Sequence, residues 1–183
     1  MAENWIDEVL SFWFEEVGPE RWFESTPELD ETIRQRFGAL HDKLASKLPQ
    51  EAIASPRGAL AAAIVLDQFP RNVYRGTAKA FATDDQAIGL ARKAIDSKLD
   101  EHLTLAERQF LYMPFQHSEI LADQEHAVML FKALGEKEAL RYAIEHRDII
   151  ERFGRFPHRN RALGRQSTAE EEAFLQEHKG FGQ

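Results

Sequence analysis

SPRGALAAAIVLDQFPRN, residues 55–72, sets the terms for the whole chain. Ser55 followed by Pro56 has the form of a helix start. The serine oxygen can accept from a first-turn N–H, and proline at that point gives up a donor that has no helical partner anyway. An apolar run from Ala59 to Leu66 follows. Leu60, Ala63, Ile64 and Asp67 fall on one face at helical spacing, so a carboxylate continues an apolar stripe. Pro70 is expected to end the helix near residue 69, because it lacks an N–H and restricts the residue before it.

The same signals recur elsewhere. Thr26-Pro27 repeats the start, and Thr83-Asp84-Asp85-Gln86, Thr104-Leu105-Ala106-Glu107 and Ser167-Thr168-Ala169-Glu170 carry the capping-box pattern. Gly135 reads as a stop, and Pro49, Pro114 and Pro157 close further helical stretches. No segment alternates with a period of two or concentrates β-branched residues, so no strand is expected. The spacing predicts eight helices, at about 3–17, 27–48, 56–69, 84–98, 105–112, 115–134, 136–153 and 168–178. Short connections make this an all-α chain of antiparallel helical hairpins without a sheet. With no linker-like stretch or break in composition, one domain over 1–183 is expected.

Thirteen Phe, three Trp and three Tyr exclude a mainly disordered chain. Trp5, Val9, Phe12 and Trp13 form one helical stripe, expected to face the core. The absence of cysteine excludes disulfides, thiolate metal ligands and a Cys nucleophile, and fits a reducing compartment. The first residues are acidic where a secretory signal is basic, and Ala59–Leu66 falls far short of the ~20 residues that span a bilayer. A soluble, cytoplasmic protein with no membrane partner is expected.

The net charge of −8 is unevenly spread. Seven arginines against three acids between Arg141 and Arg165 give a local surplus of four. An acidic body with one basic segment argues against a nucleic-acid interface, which makes a whole face positive. It fits a small anionic ligand, an internal salt-bridge network or an acidic peptide.

Three blocks hold the residues that could carry chemistry. In the first, Asp67 extends an apolar face and so needs a cation or several donors. Arg71 follows at i+4 but lies beyond Pro70, so an arginine from the 155–161 segment is the expected partner. Gln68, Asn72 and Arg75 complete this block. In the second, Pro114 is expected to break or open a helix, which leaves Gln116, His117, Ser118 and Glu119 near a helix N-terminus where N–H groups can meet an anion. The third is GRFPHRNRALGR, residues 154–165, where Arg155, His158, Arg159, Asn160 and Arg161 crowd behind Gly154 and Pro157. Guanidinium groups so close repel one another unless carboxylates or an anionic ligand lie between them. His146, on a face with Ile149, Ile150 and Phe153, is expected to be a packed residue. No metal-binding, phosphate-loop or nucleophile-elbow pattern is present, so no metal or cofactor is named.

LDQFPRNVYRGT (66–77), PFQHSE (114–119) and FGRFPHRNRALGR (153–165), in that order, resemble the signature blocks of the bacterial family DUF924. The resemblance runs from the Trp/Phe-rich first helix to the last helix, STAEEEAFL. It implies an all-helical fold related to tetratricopeptide-repeat proteins and points at these blocks, but it implies no reaction.

The two Phe-Pro strings are therefore expected to end helices and to form two walls of one polar pocket, with 116–119 as the third. Asp67 is expected to anchor Arg155, Arg159 or Arg161. Arg71, Arg75, Gln116, His117, His158 and Asn160 are expected to line the pocket. Three functions compete: a pocket for a small anionic ligand, with or without chemistry; a helical adaptor for an acidic peptide; and a purely structural knot. If chemistry occurs, His117 or His158 is the candidate general acid/base, because imidazole titrates near neutrality. The sequence is silent on oligomeric state.

Overall fold

The computed structural model describes residues 5–181. All regular structure among them is helical, and no strand is present among the described residues. The α-helices are α1 (Trp5–Ser11), α2 (Pro27–Ser46), α3 (Glu51–Ala54), α4 (Pro56–Ala63), α5 (Phe69–Val73), α6 (Asp84–Asp96), α7 (Leu105–Gln116), α8 (Leu121–Leu134), α9 (Lys137–Phe153) and α10 (Ala169–Glu177). Short 3-10 turns lie at Ala78–Phe81, Leu99–His102 and Pro157–Arg159. The expected start of the first helix, at residues 3 and 4, lies outside the described residues.

Most helix starts follow the sequence signals. Thr26 Oγ1 accepts from Leu29 N and Ser55 Oγ from Gly58 N, each ahead of its proline. Thr104 with Glu107 and Thr168 with Glu171 form reciprocal capping boxes. The second box is one residue later than expected, with Thr168 rather than Ser167 as cap. Gly154 closes α9 in the left-handed conformation, at φ 71°, where a side chain would be strained.

Two prolines do not stop their helices. Helix α4 passes into a π turn, Ile64–Gln68, and continues as α5 through Pro70 to Val73. The missing Pro70 N–H would strand the Leu66 carbonyl, and the Thr83 hydroxyl donates to that oxygen at 2.6 Å. Thr83 therefore serves a distant carbonyl and makes no capping hydrogen bond to α6. Asp67 consequently lies mid-helix rather than in a last turn. Pro114 also lies inside a helix, since α7 runs on to Gln116 and His117 N–H reaches back to Met113 O. The 116–119 block thus ends α7 and leads into α8, and is not the first turn of a helix.

Helix α4 is the centre of the packing. Gly58 to Ala63 are all buried, and the small side chains let α1, α6 and α7 approach closely. Trp13, Phe37, Phe69, Phe110, Phe115 and Phe131 are fully buried around it, with Phe37 and Phe69 ring centroids 4.9 Å apart. Truncating such an aromatic to alanine costs about 3–5 kcal/mol. Helix α8 packs on both α7 and α9. A smaller apolar cluster of Ile149, Ile150 and Phe156, joined by Phe153, Phe174 and Phe181, seats the C-terminal segment. No described helix is long and apolar enough to cross a membrane.

Candidate functional site

The π turn decides where the first block points. Wider than α-helical winding, it turns Asp67 wholly inward, and Asp67 has no exposed surface. Its Oδ1 lies 2.7 Å from His117 Nδ1 and 3.3 Å from an Arg71 nitrogen, and its Oδ2 accepts from Gln68 Nε2 at 2.6 Å. Burial pushes the Asp67 carboxyl up, but His117 and Arg71 outweigh that and hold it below its ordinary value. Burial and then the Arg71 charge push the His117 imidazole down, against the pull of Asp67. We therefore describe the pair as a carboxylate and a neutral imidazole, with the proton on Nδ1. His117 Nε2 has no hydrogen-bond partner among the described residues.

The expected anchoring of the third block by Asp67 is not what the fold builds. Arg71, across Pro70, pairs with Asp67 because the helix continues. It also grips Asp84 through two 2.9 Å hydrogen bonds and donates to the Asp67 carbonyl. Arg159 faces Asp84 at 3.7 Å and donates to the His117 carbonyl at 2.9 Å, with its guanidinium 4.6 Å from both the Phe81 and Phe156 rings. Burial, followed by the Arg71 charge, lowers its pKa to about 10. Arg71, with the closer carboxylates, is shifted up instead. Two buried arginines thus face two carboxylates, and the internal charge closes.

Two further arginines of the third block, Arg155 and Arg165, hold the loop itself. Arg155 grips Glu171 at 2.7 and 2.9 Å, and Arg165 grips Glu119 at 2.8 and 2.9 Å. Asn160 donates to Glu171 and accepts from Arg165. Arg161 is exposed. Ser118 donates to Asp123 and accepts from Ile120 N–H at the start of α8. His158 lies against the C-terminal segment: its Nε2 is 3.0 Å from the His178 carbonyl, and His178 in turn contacts Glu145 at 2.7 Å.

One cavity of about 520 Å³ gathers Gln68, Arg71, Asn72, Arg75, Gln116 and His117. These come from the first and second blocks. Asp67 backs the wall from behind, whereas Ser118, Glu119, Arg155, His158, Arg159, Asn160 and Arg161 do not line it. Asn72 and Arg75 are tied to Asp30 of α2, at 2.8 Å and at 3.1 and 3.2 Å. The Gln116 amide makes no hydrogen bond to the described residues.

Other parts of the cavity gave no warning in the sequence. His146 is packed, as expected, and only 2% exposed, yet it also lines the floor, its ring centroid 6.2 Å from that of His117. Phe181 stacks on it at 3.7 Å. Trp22, Phe23 and Tyr142 form an aromatic rim, with exposed Glu24, Glu136 and Glu138 beside them. No sequence motif singles these out, because an exposed aromatic and a core histidine look ordinary until the fold brings them together.

The family model for bacterial proteins of unknown function, DUF924, matches residues 9–179. The chain belongs to the DUF924 family. A solved structure of a protein of unknown function from Agrobacterium tumefaciens is similar, with a TM-score of 0.90 and 39% identity over 94% of this chain and 97% of that one. No protein of curated function matches this chain. Membership in DUF924 therefore supports the all-helical fold and brings no activity with it.

Proposed function

We propose that the cavity binds a small organic molecule and that His117, backed by Asp67, exchanges a proton with it. The observation that carries this reading is the 2.7 Å contact from Asp67 Oδ1 to His117 Nδ1 at the floor of the 520 Å³ cavity. A carboxylate on one ring nitrogen fixes the tautomer and leaves the other as a base. The lowered pKa keeps that base unprotonated at neutral pH. On taking a proton, the ring becomes an imidazolium that Asp67 stabilises. His158, tied to the tail, has no such access.

The cavity volume is in the range of small-molecule sites, and its make-up is that of one: a few convergent polar groups below and aromatic surface above. That suits a molecule with a polar end and a flat apolar body. The arginines that suggested an anionic ligand are matched by Asp67, Asp84 and Asp30, so nothing in the charge balance calls for a multiply charged anion. The peptide-adaptor reading loses ground for a related reason, since Arg155, Arg159 and Arg165 are engaged by Glu171, Asp84 and Glu119 and offer no open basic strip. For segment 153–165 itself, the structural role is the better account. The tetratricopeptide kinship, the single domain and a cytoplasmic location are kept as parts of the proposal, supported by packing between successive helices and by the cysteine-free sequence.

The test is a thermal-shift screen of the wild-type protein and His117→Phe against organic acids, amides, amines, nucleosides and divalent metals. A ligand at 100 times its Kd adds about 2.7 kcal/mol, or roughly 5–10 °C for a chain of this size. A shift that disappears in His117→Phe supports the reading. A flat screen, or a shift that the variant keeps, sinks it.

A further inference from the structure

His146 is the buried titratable group that the Asp67–His117 pair leaves unused. Its Nδ1 lies 2.7 Å from the Tyr142 carbonyl. A carbonyl only accepts, so Nδ1 carries the hydrogen. Burial, reinforced by neighbouring positive groups, pushes the imidazole well below its ordinary pKa, so the ring is neutral and Nε2 is a bare acceptor. That Nε2 is buried and has no partner among the described residues. His117 reaches the same state by another route, its Nδ1 hydrogen directed at Asp67. Both rings line one cavity, 6.2 Å apart between centroids.

Two bare lone pairs, on rings whose centroids lie 6.2 Å apart in the lining of one cavity, select against the group that the arginine count suggests. A carboxylate or phosphate dianion would bring further lone pairs to them, and each buried acceptor left unpaired costs about 1–3 kcal/mol. We propose that the inner end of the ligand is a hydrogen-bond donor with two hydrogens on nitrogen or oxygen, held between His117 Nε2 and His146 Nε2. Primary amides, amidines and vicinal diols meet this description. The Gln116 amide, uncommitted among the described residues, lines the same cavity and supplies a donor for the acceptor atom that an amide or diol also carries. Phe181, stacked on His146, holds the plane of that ring. The exposed acids of the rim favour such a ligand over an anion as well. The inference deepens the small-molecule reading above and rests on it.

The experiment has two arms. First, ¹⁵N–¹H correlation spectra of the histidine rings in the wild-type protein report which nitrogen is protonated. The hydrogen is expected on Nδ1 of both His117 and His146, and a proton on His146 Nε2 overturns the proposal whether or not any variant folds. Second, benzamide, benzamidine and catechol are titrated against benzoate and phenyl phosphate, with cavity resonances as the readout. The donor-bearing probes are expected to bind about tenfold more tightly than the anions, and His146→Phe to remove about that factor while leaving benzoate unchanged. Preference for benzoate or phenyl phosphate at the same resonances overturns the donor class but leaves the pocket standing. If no probe perturbs the cavity, both readings fall.

Discussion

Glu119 holds Arg165 through both carboxylate oxygens, at 2.8 and 2.9 Å, across forty-six residues of sequence. The same carboxylate accepts from Phe156 N–H at 2.8 Å, and Arg165 donates to the Phe156 carbonyl at 3.0 Å, which closes a ring of charge-assisted hydrogen bonds. Glu119→Ala would leave Arg165 and the Phe156 amide without this partner. It is expected to cost about 2–3 kcal/mol, read from urea unfolding curves. A cost under about 1 kcal/mol would mean that segment 153–165 is held by other contacts.

Asp67→Ala is expected to be more damaging. It strips two buried groups, His117 and Arg71, of a carboxylate that has no exposed surface. Removing one partner from such a buried cluster costs about 3–5 kcal/mol. The decisive comparison is Asp67→Asn, which keeps the shape and a hydrogen-bond acceptor, and should recover part of the loss in guanidinium denaturation. Equal stability of wild type and Asp67→Ala would show that the cluster is not load-sharing.

Stability should fall in two stages on acidification. His146 and His117 are neutral when folded, with pKa values below the ordinary 6.5, so the unfolded chain binds more protons. Their contribution is present above pH 6.5 and is lost as pH drops below it. Glu171, held at about 2 by Arg155 against an ordinary 4.5, contributes above pH 4.5 and loses that contribution between 4.5 and 2. His146→Phe should shrink the first stage, leaving the share of His117, and Glu171→Gln should shrink the second, leaving the shares of Asp67 and Glu119, whose carboxyls are also held low. Identical urea midpoints at about pH 7.5 and about pH 5 would contradict the first stage.

Helix α5 passes through Pro70 because Thr83 serves the carbonyl that proline leaves open. Pro70→Ala should therefore change stability by no more than about 1 kcal/mol, whereas Thr83→Val should cost about 1–2 kcal/mol by stranding a buried acceptor. Unfolding midpoints of the two variants settle the order. A costly Pro70→Ala with a harmless Thr83→Val would reverse this account.

These contrasts mark what could be read in the chain beforehand. Helix starts at Thr26-Pro27, Ser55-Pro56 and Thr104 were legible because capping is local: the cap and the N–H it serves are three residues apart. Pro70 and Pro114 misled because a proline announces a missing donor, not the remedy, and the remedy for Pro70 comes from Thr83. Asp67 was recognisable as needing partners, since a carboxylate on an apolar stripe is expensive. The identity of those partners depended on the helix continuing to Arg71 and on His117 ending α7. The arginines of 155–165 looked like a ligand site because their acids, Glu119 and Glu171, lie outside that segment. His146 was legible as a packed residue from its face with Ile149 and Ile150, but neither its place in the cavity nor the aromatic rim carried a signal.

The π turn at Ile64–Gln68 has a genetic consequence. It contains one residue more than an α-helix would use for the same turn. An in-frame loss of a single codon there would leave a regular, well-formed helix. Because α-helical winding closes the same turn with one residue fewer, the residues beyond it would keep nearly the same bearing around the axis. Arg71 would still face Asp84 and Asn72 would still face Asp30, but the winding that turns Asp67 inward would be gone, and with it the Asp67–His117 contact, while the helix content stayed the same. At this point in the gene, a deletion that a circular-dichroism spectrum would not register should disarm the histidine and leave the rest of the cavity wall in place.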